Sequence, residues 1–236
     1  LNLLDAMRAS KVSRLVFSST AAVYGQPEEV PVREGAPTRP ANPYGSSKLA
    51  VDCLIGHEAA AGPLAAVSLR YFNVAGASKR FGGVYKPGVT QLIPIVLRVA
   101  AGHERAVRIY GTDYPTPDGT AIRDYIHVED VARAHLLALE AAGRGSHKVY
   151  NLGNGSGYSV REVIEAARRV TGRRIEIVEA PRRPGDPATA VAASDRIRSE
   201  LGWKPEKPDL DTMIFDAWSR MRTEQAVCAE EPTNVL

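Results

Sequence analysis

Strand-like apolar runs alternate with segments of helical period along almost the whole chain, and that alternation confines it to an α/β fold with a parallel or mixed sheet. Leu3, Leu4 and Met7 fall at helical spacing in LNLLDAMRAS, and RLVFSS from Arg14 follows as a short buried strand. Ser46 to Ala61 reads as a helix, Leu64 to Val74 as a strand, and Gln91 to Ala101 as another helix. Ala106 to Gly111 reads as a strand, Thr112 to Thr120 as a Pro/Gly loop, Val128 to Ala142 as a helix, and KVYNLG as a strand. Ser159 and Glu162 form a capping box for a helix from Val160 to Val170, closed by Gly172. RIEIVEA is a further strand and Asp209 to Met221 a last helix. Loops lengthen after Gly76, which sets a boundary there: residues 1–76, then 77–222 with some segments returning to the first unit, then a polar tail at 223–236.

The 236 residues, 44% apolar and 24% charged, suffice for one large domain or one and a half, and exclude collagen-like, disulfide-scaffold and disordered classes. The formal charge of +3 rests on 23 Arg and 7 Lys spread along the chain, so neither a nucleic-acid nor a membrane partner is expected. Cys53 and Cys228 match neither a metal pair nor a disulfide framework, which favours a reducing, cytoplasmic compartment, and Cys53 reads as core filler. No His/Asp/Glu cluster has metal-ligand spacing. The longest apolar stretch, Leu92 to Ala101, contains Arg98 and falls short of the ~20 residues of a membrane span. The N-terminus lacks the pattern of a signal peptide and begins at Leu1, so processing or a longer parent protein is expected.

KVYNLGNGSGYSVREVIEAARRV has the strand–glycines–helix order of a dinucleotide fingerprint, but Tyr158 stands where GxGxxG needs its last glycine. A tight loop carrying a helix N-cap is the better reading. A different signal lies in NPYGSSKLAVD, where Tyr44 and Lys48 stand four apart and project from one helix face. A tyrosine acting as a base at neutral pH needs its ordinary value near 10 lowered by several units, and a cation within ~4–6 Å does this by favouring phenolate. Thr20, at the end of the preceding strand, offers a hydroxyl to share the proton. The spacing alone is also compatible with a solvated amphipathic helix.

VFSSTAAVYG, NPYGSSKLAVD, LRYFNVAGA, GTDYPTPDGTAIRDYIHVEDVARAH, YNLGNGSGYSV and APRRPGD occur in this order. With them the chain resembles the UDP-glucose 4-epimerase family of extended short-chain dehydrogenase/reductase proteins, from Leu1 to about Trp218. The resemblance implies the C-terminal part of a Rossmann-like doubly wound parallel sheet at 1–76, and a smaller mixed α/β substrate-binding lobe at 77–222. It implies Tyr44 as catalytic base, Lys48 as the lysine that lowers its pKa and holds the nicotinamide ribose of NAD, and Thr20 as the third member. Ser18, Ser19 and Tyr71 join Tyr44 and Lys48 as NAD-binding positions. For a UDP-hexose substrate it implies Arg123 and Arg183 on the diphosphate, Asn73 on diphosphate or sugar, and Tyr110 around the uracil. Asp186 then falls on a ribose hydroxyl, Gln91 and Leu92 in the same site, Thr20 at the sugar, and Ala190 beside its C2 substituent. The implied reaction oxidises and re-reduces sugar C4, interconverting UDP-glucose and UDP-galactose. Ala190, in place of a bulky tyrosine, extends the expectation to the N-acetylated sugars.

Related dehydratases carry an Asp-Glu pair after the threonine, where this chain has Ala21 and Ala22, so elimination is disfavoured. His127 reads as a packed, hydrogen-bonded histidine. No strand, glycine-rich turn and helix of the NAD-binding type precede Thr20, and the resemblance implies roughly 100 residues upstream, three to four βα units. The alternatives are a nucleotide-sugar-binding fragment without catalysis, or a sister enzyme such as a UDP-glucuronate 4-epimerase. The resemblance also implies that the full-length form pairs as a homodimer through the helix bearing Tyr44 and Lys48.

Overall fold

A computed structural model of the chain describes residues 1–79 and 88–230, with the side chains of 225–230 outside that description. Helix α1 (Asn2–Ala9) leads into strand β1 (Arg14–Thr20), a 3-10 turn at Ala21–Tyr24, helix α2 (Pro43–Ala61) and strand β2 (Ala65–Tyr71). Then come β3 (Asn73–Ala75), α3 (Leu92–Ala100), β4 (Val107–Tyr110), β5 (Ile122–His127), α4 (Val128–Ala141) and β6 (Ser146–Leu152). The rest is β7 (Gly157–Ser159), α5 (Val160–Thr171), β8 (Ile177–Ala180), β9 (Thr189–Ala190), α6 (Asp195–Leu201) and α7 (Leu210–Glu230).

The first sheet is wholly parallel in the order β1-β2-β6, with Arg14 opposite Ala65 and Ala65 opposite Ser146. Successive residues of a strand face opposite sides, so β1 serves two helix layers. Leu15 and Phe17 pack with Leu4, Met7, Ile55 and Ala59 of α1 and α2, while Val16 joins the cluster of Ala134 and Ala138 of α4 and Ile197 of α6. Helices therefore cover both faces, as the doubly wound expectation requires. A second, mixed sheet runs β3-β5-β7 with β9 also on β5, and β4 pairs with β8 in a two-stranded sheet. Helices α3, α5 and α7 build the core of this second unit around Leu97, Ile109, Ile164 and Met213, all fully buried.

Several expectations are adjusted. Helix α2 begins at Pro43, three residues early, because Asn42 caps it by accepting from the Gly45 N–H at 2.8 Å and proline suits the first turn. The long strand from Leu64 divides at Phe72, which is buried with Val23 and Tyr24 while the chain passes from β6's neighbour to β5's. Helix α7 continues to Glu230 through the expected tail, there being no Gly or Pro before Pro232; residues 231–236 lie outside the described ones. Cys53 is exposed rather than core filler: the buried stripe of α2 runs through Gly45, Asp52, Ile55 and Ala59, and position 53 faces away. The capping box of Ser159 and Glu162 and the left-handed Gly172 stand as read. Among the described residues no helix is long and apolar enough to cross a membrane.

Candidate active site

The C-terminal end of β1 and the start of α2 meet at one point. Lys48 Nζ donates to the Ser18 carbonyl at 2.8 Å, and its ammonium lies 4.9 Å from the Phe17 ring centroid and 5.9 Å from that of Tyr44. Tyr44 is 54% exposed in the first turn of α2, so its phenol faces outward beside a fixed cation. Thr20 is buried and its Oγ1 accepts from the Ala22 N–H at 3.1 Å, leaving its O–H to donate elsewhere. Ser18 and Ser19 turn to opposite faces. The Ser18 hydroxyl donates to Nε2 of His135, whose Nδ1–H is used on the Val131 carbonyl. Ser19 donates to Asp52 at 3.0 Å. Tyr71 ends β2 opposite Thr20, with its ring 6.2 Å from that of His135.

A cleft of about 630 Å³ lies in the second unit. Seven of the residues expected to hold substrate line it: Asn73, Gln91, Leu92, Tyr110, Arg123, Arg183 and Asp186. They come from five places in the chain: the start of β3, the N-terminus of α3, the end of β4, the start of β5 and the turn after β8. The Arg183 guanidinium sits 3.8 Å from the centre of the Tyr110 ring, and its hydrogen bond, aided by Arg108, holds the Tyr110 phenol below its ordinary value. Asp186 closes a turn back to the Arg183 carbonyl at 3.3 Å. Thr20 and Ala190 are not among the lining residues. Ala190 pairs with Arg123 in register across β9 and β5, and packs against the cluster of Tyr24 and Phe72 that also takes in Ala21 and Leu49. Its neighbours are therefore a cleft-lining residue, Arg123, on one strand and, in the cluster, residues next in sequence to Thr20 and Lys48.

The pattern reading missed Arg108, which adds a third guanidinium to the cleft; the alternation of VRIY, with Val107 and Ile109 buried, was the available signal, since it puts Arg108 and Tyr110 on one side. It missed Phe17 under the lysine for want of any local signal. It also missed what the glycine loop after β6 does. That loop wraps an internal carboxylate: Asp124 accepts backbone N–H groups from Asn154 at 2.8 Å, Gly155 at 3.0 Å and Ala192 at 3.0 Å. A Cβ on Gly153 would come within 2.3 Å of Asp124 Oδ2, so the glycine is required by that close approach. Burial pushes Asp124 up to about 6 against the pull of those three donors. His127 is fully buried, accepts from the Glu129 N–H on Nδ1 at 3.1 Å and donates from Nε2 to Asp216 at 3.2 Å, which makes it a structural histidine.

Residues 1–153 match the model of the NAD dependent epimerase/dehydratase family. The chain belongs to this family. Within it, the chain is 56% identical over 219 residues to UDP-glucose 4-epimerase of Corynebacterium glutamicum, covering 93% of this chain and 66% of that protein. The likeness to UDP-glucose 4-epimerase of Streptomyces lividans is 57% over 216 residues, or 92% and 65% of the two chains. The chain therefore spans just under two thirds of the length of these family members. Of solved structures, UDP-glucose 4-epimerase of Stenotrophomonas maltophila, with bound NAD and formylated UDP-arabinopyranose, superposes with a TM-score of 0.90 at 42% identity, covering 95% of this chain and 68% of that one. The Bifidobacterium longum enzyme in complex with NAD+ and UDP gives 0.87 at 41%, covering 94% and 68%.

Proposed function

We propose that this chain forms the catalytic end and substrate lobe of an NAD-dependent enzyme that interconverts UDP-glucose and UDP-galactose through C4. Strands β1, β2 and β6 with their helices supply the catalytic end, and the remainder of 77–222 the lobe. The observation that carries this reading is the convergence of seven expected substrate residues on one cleft, with Ala190 paired to Arg123 of that cleft and packed with residues next in sequence to Thr20 and Lys48.

The residues present suit the nicotinamide end of NAD. The Lys48 ammonium spends one hydrogen on Ser18 and keeps two for ribose hydroxyls, and Tyr44 stands exposed next to it. NAD, when bound, supplies the acceptor and donor of the C4 hydride. The chain's own work is to move one proton and to hold one end of the substrate. Tyr44 takes the proton from sugar O4 and returns it, with Lys48 favouring the anionic phenol and the Thr20 hydroxyl sharing the proton. Arg123 and Arg183 grip the diphosphate, where planar guanidinium forks match phosphate oxygens, and no charged group needs to fix the sugar, which is left free to present either face. Ala21 and Ala22 put no carboxylic acid next to Thr20, so loss of water has no acid to drive it. Pairing of two copies through α2 belongs to the same reading, supported by exposed apolar Leu3 on α1 and Val51 on α2.

Two measurements test it. Arg123→Ala and Arg183→Ala should each weaken UDP binding by about 10- to 100-fold, the loss of a charge-assisted hydrogen bond of about 1.5–3 kcal/mol. Calorimetric titration of UDP reads this without turnover, and unchanged affinity in both variants would remove the cleft from the mechanism. Ala190 leaves room beside C2, so the native enzyme carrying this chain is expected to turn over UDP-N-acetylglucosamine as well. Ala190→Tyr should suppress that activity while sparing UDP-galactose, and the ratio of the two rates decides the point.

A further inference from the structure

Beneath the tyrosine–lysine pair lies a buried chain of side chains that none of the roles above uses. Asp52 stands one helical turn beyond Lys48 and two beyond Tyr44, on the same side of α2, and is 3% exposed. Its Oδ2 accepts from Ser19 Oγ at 3.0 Å and from Arg70 Nε at 3.1 Å, while its Oδ1 is buried with no partner among the described residues. Arg70, on β2, passes the connection on through Nη1 to the Tyr24 hydroxyl at 3.1 Å. Tyr24 donates to Asn151 Oδ1 at 2.7 Å, and Asn151 Nδ2 donates to the Val32 carbonyl at 2.9 Å. One carboxylate on α2 is thereby tied to β1, β2, the 3-10 turn, β6 and the loop that follows the turn.

We infer that Asp52 is a positioning residue: it fixes over β1 the turn of α2 that carries Lys48, and so holds the Lys48 ammonium in place beside Tyr44. This rests on the function proposed above for its effect on turnover, but not for its effect on Lys48. The geometry is specific. Lys48 holds the Ser18 carbonyl and Asp52 holds the neighbouring Ser19 hydroxyl, so two ties one helical turn apart fix α2 to two consecutive residues of β1, immediately before Thr20. A single tie would let the helix roll about it; two prevent that. Both bonds to Asp52 fall on one oxygen, so a small shift of α2 loosens both together. A buried ion pair adds little net stability compared with apolar packing, and its best-attested use is to select one arrangement over near alternatives.

The test compares Asp52→Ala with the charge-neutral double variant Asp52→Asn/Arg70→Gln, which leaves no unpaired charge should the single variant fail to fold. In brief acetylation of the wild-type chain followed by peptide mass spectrometry, Lys48 should label slowly and exposed Lys11 quickly. In either variant Lys48 labelling should rise at least threefold with Lys11 unchanged. In the native enzyme, kcat for UDP-galactose should fall about tenfold or more with KM within twofold. In a Lys48→Met background the same Asp52 change should cost no further kcat, because its effect passes through the lysine. Unchanged Lys48 labelling in both variants overturns the inference, as does an equal loss of kcat with and without Lys48. Absence of epimerase turnover in the wild type would instead count against the proposed function, and the labelling result would still decide the role of Asp52.

Discussion

Tyr44→Phe should lower kcat for UDP-galactose epimerisation by about 10²- to 10⁴-fold, the range for removing a positioned acid–base group, with KM and UDP affinity within about twofold. The split follows from the geometry. Tyr44 lies at the start of α2 beside the Lys48 ammonium, whereas the arginines that would hold the nucleotide lie in a cleft that Tyr44 does not line. Phenylalanine keeps the ring over the lysine and removes only the oxygen that carries the proton. A coupled assay of galactose-to-glucose conversion in the native enzyme, with UDP titration alongside, separates the two quantities. Retention of wild-type kcat in Tyr44→Phe would exclude this tyrosine as the base.

The second large effect concerns stability. Asp124→Ala should lower the melting temperature by roughly 10 °C, since it leaves the buried Ala192 N–H and the partly covered Asn154 and Gly155 N–H groups without their acceptor, at ~1–3 kcal/mol for a fully buried one, and the temperature falls about 2–4 °C per kcal/mol at this chain length. Those donors come from the loop after β6 and the start of the segment beyond β9, so their release loosens both neighbours of Arg123. UDP binding should weaken in parallel. The pH dependence carries a definite sign. The folded value of about 6 lies above the ordinary 3.8, so between these values the folded chain holds a proton that the unfolded chain has lost. This group's contribution is therefore greatest below pH 4 and declines as pH rises to about 6. Asp124→Asn, uncharged throughout, should lack that decline, and melts from pH 4 to 7 of both proteins reveal the difference. His127 works in the opposite sense. Burial and Lys207 hold its value below the ordinary 6.5, so its contribution is present above that pH and is lost as the pH falls.

Local pattern carried much of the fold. Helices α1, α3, α4 and α5 and strands β1, β4 and β6 were legible because each repeats an apolar period or a cap over enough residues to stand above chance, as Ser159, Glu162 and Gly172 do around α5. Strands β5, β7 and β9 and helix α6 were not. Gly157 sits in β7 because Ile122 fills the place of its side chain, at 2.4 Å from a built Cβ, a reason that exists only once β5 lies alongside. Helix α6 buries only Ile197, too little for a period to show.

The same division runs through the site. The sequence by itself determined which side chains are available and in what order: a tyrosine and lysine one helical turn apart, a threonine closing a strand, arginines in two separate motifs, alanines where an eliminating enzyme needs acids. These are matters of residue type and short spacing, which a chain carries whether or not it is folded. Tertiary structure alone decided that Arg123, Arg183 and the sequence-distant Asn73 share one cleft, that the glycine loop encloses Asp124 instead of a phosphate, and that Asp52 turns inward while Cys53 turns out. Each of those depends on contacts between residues tens of positions apart, and their energies arise only when water is excluded from between them.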